Sequence, residues 1–256
     1  MTLTHEWVNK PAVAAAFSRA AHGYEESAAF QRHSGERLLA LLEGRAEGQT
    51  ALDVGCGTGY FSRRLTAYDY RVTALDLAPG MLAQARRLDS AQHYLLADME
   101  HLPLADECVD LCFCNLAIQW CASLPRALGE LMRVTRSGGR VLFTTLAAGS
   151  LQELDSAWRQ VDGRQHVNRF LRHEQIAAAC APYRHCLTMH TLRYHFPDVM
   201  ALMRSLKGIG ATHLHAGRSG GLNGRQHLAR LAQCYPREAQ GVALSYQLVV
   251  GELTRD

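Results

Sequence analysis

Short apolar runs recur along the first 150 residues, and most of them end in an acidic or polar residue. The first contains Asp53 near its end, and the later ones end at Asp76, Asp98, Cys114 and Thr145. Segments with helical patterns separate them, so that a strand recurs about every 20 to 30 residues. This alternation predicts right-handed βαβ crossovers and a parallel sheet, whose ligands bind at the carboxyl ends of the strands.

The second half of the chain adds two predicted strands and more helix. Leu187–Phe196 alternates imperfectly, and Ala243–Val250 is typical of a last strand. Apolar residues at helical spacing predict helix within Leu151–Pro182, at Val199–Lys207 and within Val13–Leu42. We expect the N-terminal helices to cover a cofactor and the later ones to cover a substrate.

A glycine-rich loop follows the first strand, in the sequence Asp53-Val54-Gly55-Cys56-Gly57-Thr58-Gly59. Glycine allows a positive φ and lets a ligand approach bare backbone, so the loop predicts a nucleotide-type site. Its G-x-G-x-G spacing differs from the G-x-G-x-x-G of dinucleotide sites, and an acid stands two residues before the first glycine. That combination favours a ligand with a cationic amino acid end, such as S-adenosylmethionine.

Further residues of this ligand site are predicted at the ends of the next strands. Asp76 lies 23 residues beyond Asp53, where a carboxylate that accepts hydrogen bonds from ribose hydroxyls is expected. Asp98 and Met99 provide an acceptor for an exocyclic amine and an apolar surface for a ring. For Met99, a role in filling the core is an equally good interpretation.

Residues 40 to 146 resemble the class I S-adenosylmethionine-dependent methyltransferases. The resemblance rests on the D-V-G-C-G-T-G loop, the strand that ends at Asp76, Ala97-Asp98-Met99, and the segment from Leu131 to Gly139, in family order. It implies a Rossmann-like α/β fold with a seven-stranded, mostly parallel sheet, an antiparallel last strand and a helical substrate lid. It divides a single domain into an N-terminal cover (1–45), a cofactor-binding half (46–146), lid insertions around strand six (147–240) and the last strand (241–256).

The same resemblance implies a set of residues that bind S-adenosylmethionine. Gly55, Gly57 and Gly59 would face its methionine part, Asp76 the ribose, Asp98 and Met99 the adenine, and Asn115 the methionine backbone or sulfonium. The full set of implied cofactor-binding residues is Asp53, Gly55, Gly57, Gly59, Asp76, Leu77, Met81, Asp98, Met99 and Asn115. No metal is implied.

Composition and charge narrow the function further. No apolar run reaches the roughly 18 residues that span a bilayer, and Met1 to Lys10 lacks the regions of a signal peptide, so a cytoplasmic protein without a membrane partner is expected. The eight cysteines have no disulfide spacing, and the C-x3-C-x-C of Cys108, Cys112 and Cys114 does not suit a zinc ion. We therefore expect reduced, buried thiols.

Positive charge is concentrated in residues 151–240, which contain 12 Lys plus Arg and 6 Asp plus Glu, a net of +6. Nearly all of it is arginine, which favours bidentate recognition of carboxylate and phosphate. An acidic protein partner is the first interpretation, and a solvated basic face is the alternative. Nucleic acid is disfavoured because the basic residues are scattered and lack interleaved aromatic side chains.

Segments outside the cofactor half make the resemblance narrower. The segments Ala16–Tyr24, Asn115–Trp120, Phe143–Leu146, Asn168–Phe170 and Arg204–Thr212 resemble the malonyl-acyl carrier protein O-methyltransferase family of biotin synthesis. The resemblance implies methyl transfer to the free carboxylate of malonyl-acyl carrier protein. Malonyl-coenzyme A is a further possible acceptor. The malonyl methyl ester on the carrier protein would start pimeloyl synthesis for biotin.

The implied reaction sets the candidates for the substrate site. A carboxylate with a pKa of about 4 is already ionised at neutral pH, so no general base is expected, and His22 is interpreted as structural. Tyr24, Arg169, Arg204 and Lys207 are the candidates for positioning the malonyl carboxylate. Two other functions remain open: carboxyl methylation of a free di- or tricarboxylic acid, and a non-catalytic regulatory protein that binds S-adenosylmethionine.

Overall fold

The computed structural model describes residues 8–42, 49–208 and 224–256, which form a seven-stranded sheet with helices on both faces. The strands are β1 (Thr50–Val54), β2 (Arg71–Asp76), β3 (His93–Leu96), β4 (Val109–Asn115), β5 (Thr135–Leu146), β6 (Arg184–Phe196) and β7 (Val242–Thr254). Their order across the sheet is β3-β2-β1-β4-β5-β7-β6. The predicted fold class is confirmed.

The first five strands run parallel, and β7 is antiparallel to both of its neighbours, β5 and β6. The chain therefore reverses its direction of winding between β1 and β4, which pair with each other although β2 and β3 separate them in sequence. Such a reversal leaves a crevice outside the carboxyl ends of the two strands. The position of the candidate site follows from this topology.

The helices are α1 (Lys10–Ala20), α2 (Tyr24–Ser27), α3 (Ala29–Leu39), α4 (Tyr60–Ala67), α5 (Pro79–Arg87), α6 (Leu124–Val134), α7 (Gln152–Asp162), α8 (His173–Cys180), α9 (Val199–Gly208) and α10 (Gly224–Cys234). Short 3₁₀ turns lie at Ala21–Gly23 and Ile118–Trp120. One face of the sheet packs against α3, α4, α7 and α9, and the other packs against α6 and α8. None of the helices among these residues is long and apolar enough to cross a bilayer.

Several predicted boundaries were wrong. Residues 97–108, between β3 and β4, contain no helix. The sequence Ser137-Gly138-Gly139 predicts a turn before the fifth strand, but these residues lie within β5, in an irregular part. The predicted helical segment Leu151–Pro182 contains two helices, and β6 begins three residues earlier than expected. The eight cysteines, all among the described residues, form no disulfide. Five are buried as expected, but Cys108 and Cys234 are partly exposed and Cys186, on β6, is exposed.

Candidate active site

The crevice at the carboxyl ends of β1, β2 and β4 opens into two adjoining chambers. The first chamber is bounded by Phe17, Gly55, Asp76, Met81, Asp98 and Trp120, and encloses about 680 Å³ including its open mouth. The second chamber is bounded by Tyr24, Gln31, Arg32, Asp53, Thr58 and Tyr60. Tyr24, Gly55, Gly57 and Asn115 line both.

The glycine loop is tied to the neighbouring strand by backbone hydrogen bonds. The amides of Gly55 and Cys56 both donate to the carbonyl of Leu75, at 2.7 and 2.9 Å. Gly55 has a φ of +70°, and a Cβ built on it would lie 2.3 Å from the Cβ of Ala117. Gly57 has a φ of +56°, and the Tyr24 ring would lie 3.8 Å from its Cβ. Glycine is therefore required at both positions by conformation, and at Gly55 also by space.

Asp76 is held at the end of β2 by two backbone amides. Gly57 N–H donates to Oδ2 at 2.9 Å, and Ala78 N–H donates to Oδ1 at 2.7 Å. Burial raises the pKa of Asp76 to about 6, although these hydrogen bonds oppose the shift. Because each carboxylate oxygen has a second lone pair, Asp76 can still accept hydrogen bonds from a diol in the first chamber.

Asp53 is a second buried carboxylate beside the glycine loop. It is 2% exposed and accepts a hydrogen bond of 2.6 Å from the Ser62 hydroxyl. Burial, followed by the nearby charge of Asp76, raises the pKa of Asp53 to about 7. A carboxylate in this environment is stabilised by a cationic group that enters the second chamber.

Asp98 stands at the far end of the first chamber with an ion-pair partner that the sequence analysis did not identify. Lys10, from α1, bridges Asp98 and the 3% exposed Glu100. Glu100 is itself fixed by the amides of Ala122 and Ser123, at 2.9 and 2.8 Å. Leu77, Met81 and Met99 provide apolar surface nearby. This end of the chamber can therefore hold a flat ring that carries a donor.

The N-terminal helices form the wall opposite the sheet. Phe17 of α1 contacts Trp120 edge-to-face, with ring centroids 5.3 Å apart, and both rings line the first chamber. Tyr24 lies where the two chambers join. Burial, followed by the charge of Asp76, raises the pKa of the Tyr24 phenol, so its hydroxyl stays protonated at neutral pH and can donate a hydrogen bond.

Polar groups of α3 line the second chamber. Asn115 donates its amide to the Gln31 carbonyl at 2.9 Å and accepts from the Thr144 hydroxyl at 2.8 Å. The side-chain oxygen of Gln31 is buried and has no hydrogen-bond partner among the described residues. This oxygen can accept a hydrogen bond from a ligand that carries a donor. Arg32 stands beside it, donates to the Glu25 carbonyl and lies 6.0 Å from the centroid of the Tyr60 ring.

Comparison with known proteins decides the family. The model of a methyltransferase domain matches residues 52–143. A malonyl-[acyl-carrier protein] O-methyltransferase of Serratia marcescens is 57% identical to this chain over 256 residues, which cover all of both proteins. A malonyl-[acyl-carrier protein] O-methyltransferase of Pectobacterium atrosepticum is 58% identical over 248 residues, which cover 97% of this chain and 98% of that protein. This chain belongs to that methyltransferase family. The fold is also found in YcgJ of Bacillus subtilis, whose crystal structure matches with a TM-score of 0.63 at 18% identity and covers 88% of this chain and 99% of that one.

Most predicted cofactor residues of this methyltransferase line the two chambers, but Gly59 does not. It ends the loop with a φ of +81° at the start of α4, and a Cβ there would lie 2.1 Å from the Ser90 hydroxyl oxygen. Gly59 therefore packs against the chain after α5 and lines neither chamber.

The structure brings only Tyr24 of the four predicted substrate-positioning residues into the chambers of the methyltransferase. Arg169 lines a separate depression formed by residues 148–170. Arg204 and Lys207 are exposed on α9 and line neither chamber. The part of the Arg204–Thr212 motif beyond Gly208 lies outside the described residues. That Arg169, Arg204 and Lys207 position the malonyl carboxylate therefore stays a prediction. Sequence spacing alone does not show which way a helix or loop faces.

The chamber residues that the sequence analysis missed include three polar side chains, those of Lys10, Gln31 and Arg32. All three belong to the N-terminal cover, which the sequence predicted to be helical without assigning a face. The available signal was an amide and a basic residue side by side, Gln31 and Arg32, on a helix that also carries His33, Glu36 and Arg37. It does not distinguish a ligand-binding pair from a solvated one.

Proposed function

We propose that this methyltransferase transfers a methyl group from S-adenosylmethionine to the free carboxylate of a malonyl group carried by acyl carrier protein. The observation that carries the proposal is the 57% identity to the Serratia marcescens enzyme over the entire chain, because it includes the cover and the segments after β5 as well as the cofactor half. A methyl ester masks the malonyl charge, so that fatty acid synthesis can extend the chain as though its end were apolar.

The donor set of the chambers fits S-adenosylmethionine. Asp98 and Met99 would hold the adenine, and Asp76 the ribose hydroxyls. The second chamber has acceptors for an ammonium group in Asp53 and the orphan oxygen of Gln31, and a cation for a carboxylate in Arg32. When bound, S-adenosylmethionine supplies an electrophilic methyl group on its sulfonium. These residues would hold the adenine end in the first chamber and the methionine end in the second.

The residues at the junction of the chambers position the acceptor and exclude water. The Tyr24 hydroxyl can donate to one malonyl oxygen and leave the other free to attack. Phe17 and Trp120 shield the first chamber from solvent. In-line transfer needs the attacking oxygen roughly 3 to 3.5 Å from the methyl carbon, so positioning is the main contribution to the rate. No protein group has to remove a proton, because the carboxylate is ionised at neutral pH.

The absence of a required base predicts a flat pH profile. With both substrates saturating, we expect the rate to change by less than about twofold between roughly pH 6.5 and 8.5. His22 is exposed, and His22→Ala is expected to keep most of the turnover. Steady-state rates at several pH values test this. A rate that rises with a pKa near 7 and loses that rise in the His22 variant would indicate a general base.

Cofactor affinity, unlike the rate, is expected to depend on pH. Asp53 and Asp76 have pKa values raised to about 7 and about 6, and the cationic ligand favours their ionised forms. The affinity is therefore full above pH 7 and is lost as the pH falls through these two values. We expect binding of S-adenosylmethionine to be at least about tenfold weaker near pH 5.5 than near pH 7.5. Fluorescence of Trp120, which lines the first chamber, can follow the titration.

The Asp53→Asn variant is the control for this titration. It removes the group with the higher pKa, so its affinity should be lower at pH 7.5 and should change less as the pH falls. An equally steep pH dependence in the variant would assign the effect to another group.

A panel of acceptors tests the function. Labelled S-adenosylmethionine is supplied with malonyl-acyl carrier protein, malonyl-coenzyme A, free malonate or a free tricarboxylic acid. We expect the highest kcat/KM with the carrier-linked acceptor and weaker transfer to malonyl-coenzyme A. Preferred transfer to a free acid would support a small-molecule carboxyl methyltransferase instead. Binding without transfer to any acceptor would support a regulatory protein.

A further inference from the structure

A second concave site lies outside the two chambers. It is formed by residues 148–150 after β5, by one side of α7 and by residues 163–170. Three arginines line it, Arg159, Arg164 and Arg169, together with Asn168 and a single carboxylate, Asp155. We call it the arginine depression. Asp155 accepts a hydrogen bond of 2.9 Å from Arg159.

The arginine depression and the chambers open at the same edge of the sheet. Asn115, which lines both chambers, pairs with Thr144 of β5, and the depression begins four residues later at Ala148. Neighbouring strands are about 4.8 Å apart. Four residues of extended chain span at most about 13 Å, so the depression starts within roughly 15 Å of Asn115.

The loop that carries Arg164 and Arg169 is fixed by contacts within the fold. Residues 163–172 connect α7 on one face of the sheet to α8 on the other, and the Ala148 amide donates to the Leu171 carbonyl at 2.9 Å. His166 bonds Asp162 at 2.9 Å and stacks on Trp158 with ring centroids 4.0 Å apart. The arginines thus stand on a shaped loop, which limits the entropy lost when an anion binds.

The chemistry of the arginine depression suits a phosphate group. One guanidinium group can donate two parallel hydrogen bonds to the oxygens of a phosphate. Several guanidinium groups around a concave surface can therefore hold one anion. The arm that links a malonyl thioester to its carrier protein bears one such group, the phosphodiester of phosphopantetheine. We propose that Arg164 and Arg169, with Arg159, bind this phosphodiester while the thioester end of the arm reaches the chambers. The proposal rests on the function proposed above.

Two soluble acceptors that differ only in the phosphate test this proposal: malonyl-phosphopantetheine and malonyl-pantetheine. For the double variant Arg164→Gln/Arg169→Gln, we expect the KM for malonyl-phosphopantetheine to rise about tenfold, as two charge-assisted contacts are lost. The KM for malonyl-pantetheine should stay within about twofold, since it has no phosphate to lose. The wild type should prefer the phosphorylated acceptor, and the double variant should not.

Arg87→Gln is the matched control. Arg87 is exposed at the carboxyl end of α5, far from the edge where the strands end, and bonds Gln84 at 3.1 Å. The variant also removes a guanidinium charge, but away from the arginine depression. It should therefore leave the preference for the phosphorylated acceptor intact. If the arginines acted only through the overall charge of the protein, Arg87→Gln would also weaken the preference for malonyl-phosphopantetheine over malonyl-pantetheine. That result would overturn the proposal.

The remaining outcomes separate this proposal from the proposed function. If the double variant loses affinity for malonyl-acyl carrier protein but not for malonyl-phosphopantetheine, the arginines contact the carrier protein, and the phosphate proposal is wrong. Equal loss on both small acceptors would place an arginine on the malonyl group and would also overturn it. Failure of the proposed function would appear differently, as a wild-type enzyme that methylates none of the malonyl thioesters.

Discussion

Replacing Asp76 by alanine lowers the affinity for S-adenosylmethionine by about 100-fold. The expected loss comes from two ribose hydrogen bonds to a charged acceptor, each worth about 1.5 kcal/mol or more. Loop geometry adds to it, because the Gly57 and Ala78 amides lose the carboxylate that fixes them. Isothermal titration calorimetry with S-adenosylmethionine and with S-adenosylhomocysteine measures the effect, and both ligands should be affected alike.

Asp106→Ala is the control for Asp76→Ala. Asp106 is also an aspartate, but its side chain is 71% exposed and pairs with Arg133 at the protein surface. Its loss changes the net charge by the same amount without touching the chambers. Binding to the Asp76 variant within about twofold of the wild type would show that the ribose lies elsewhere.

Replacing Gly55 by alanine abolishes cofactor binding and destabilises the fold. The positive φ costs about 1 kcal/mol for any residue with a Cβ, and the contact of 2.3 Å with the Ala117 Cβ adds about 1 to 3 kcal/mol of overpacking. The added methyl group displaces the loop from β4. Urea unfolding with and without S-adenosylhomocysteine measures both effects, since the variant should gain no stability from the ligand.

Gly138→Ala separates backbone strain from overpacking. Gly138 has a similar φ of +75°, but nothing lies within 4 Å of a Cβ built there. This variant should show only the smaller strain cost and normal ligand binding. If the two variants were equally destabilised, the close approach of Gly55 to Ala117 would have no energetic meaning.

The sequence predicted the sheet well because apolar runs and glycine spacing record local constraints. The sequence placed Gly57 and Asp76 at the carboxyl ends of two parallel strands, which must meet at one edge of the sheet. In the structure the two strands are adjacent, and the Gly57 amide donates to Asp76. The glycine loop needs a positive φ whatever surrounds it, so its position also follows from the sequence.

The walls of the site could not be predicted, because they depend on which face of each covering helix is buried. Arg32 and Gln31 reach the second chamber through the packing of α3, and Arg169 is carried elsewhere by the crossing of residues 163–172. Gly59 fits the motif but packs against Ser90. Two glycines of one motif can therefore differ in role: Gly57 lines the chambers, and Gly59 is required by packing.

A crystal structure of the protein with S-adenosylhomocysteine would show where each part of the cofactor binds. We expect adenine against Asp98 and Met99, ribose hydroxyls on Asp76, the amino group near Asp53 and the Gln31 oxygen, and the sulfur atom beside Tyr24 at the junction of the chambers. A ligand whose amino acid end points away from the second chamber, or which binds outside both chambers, would contradict this placement.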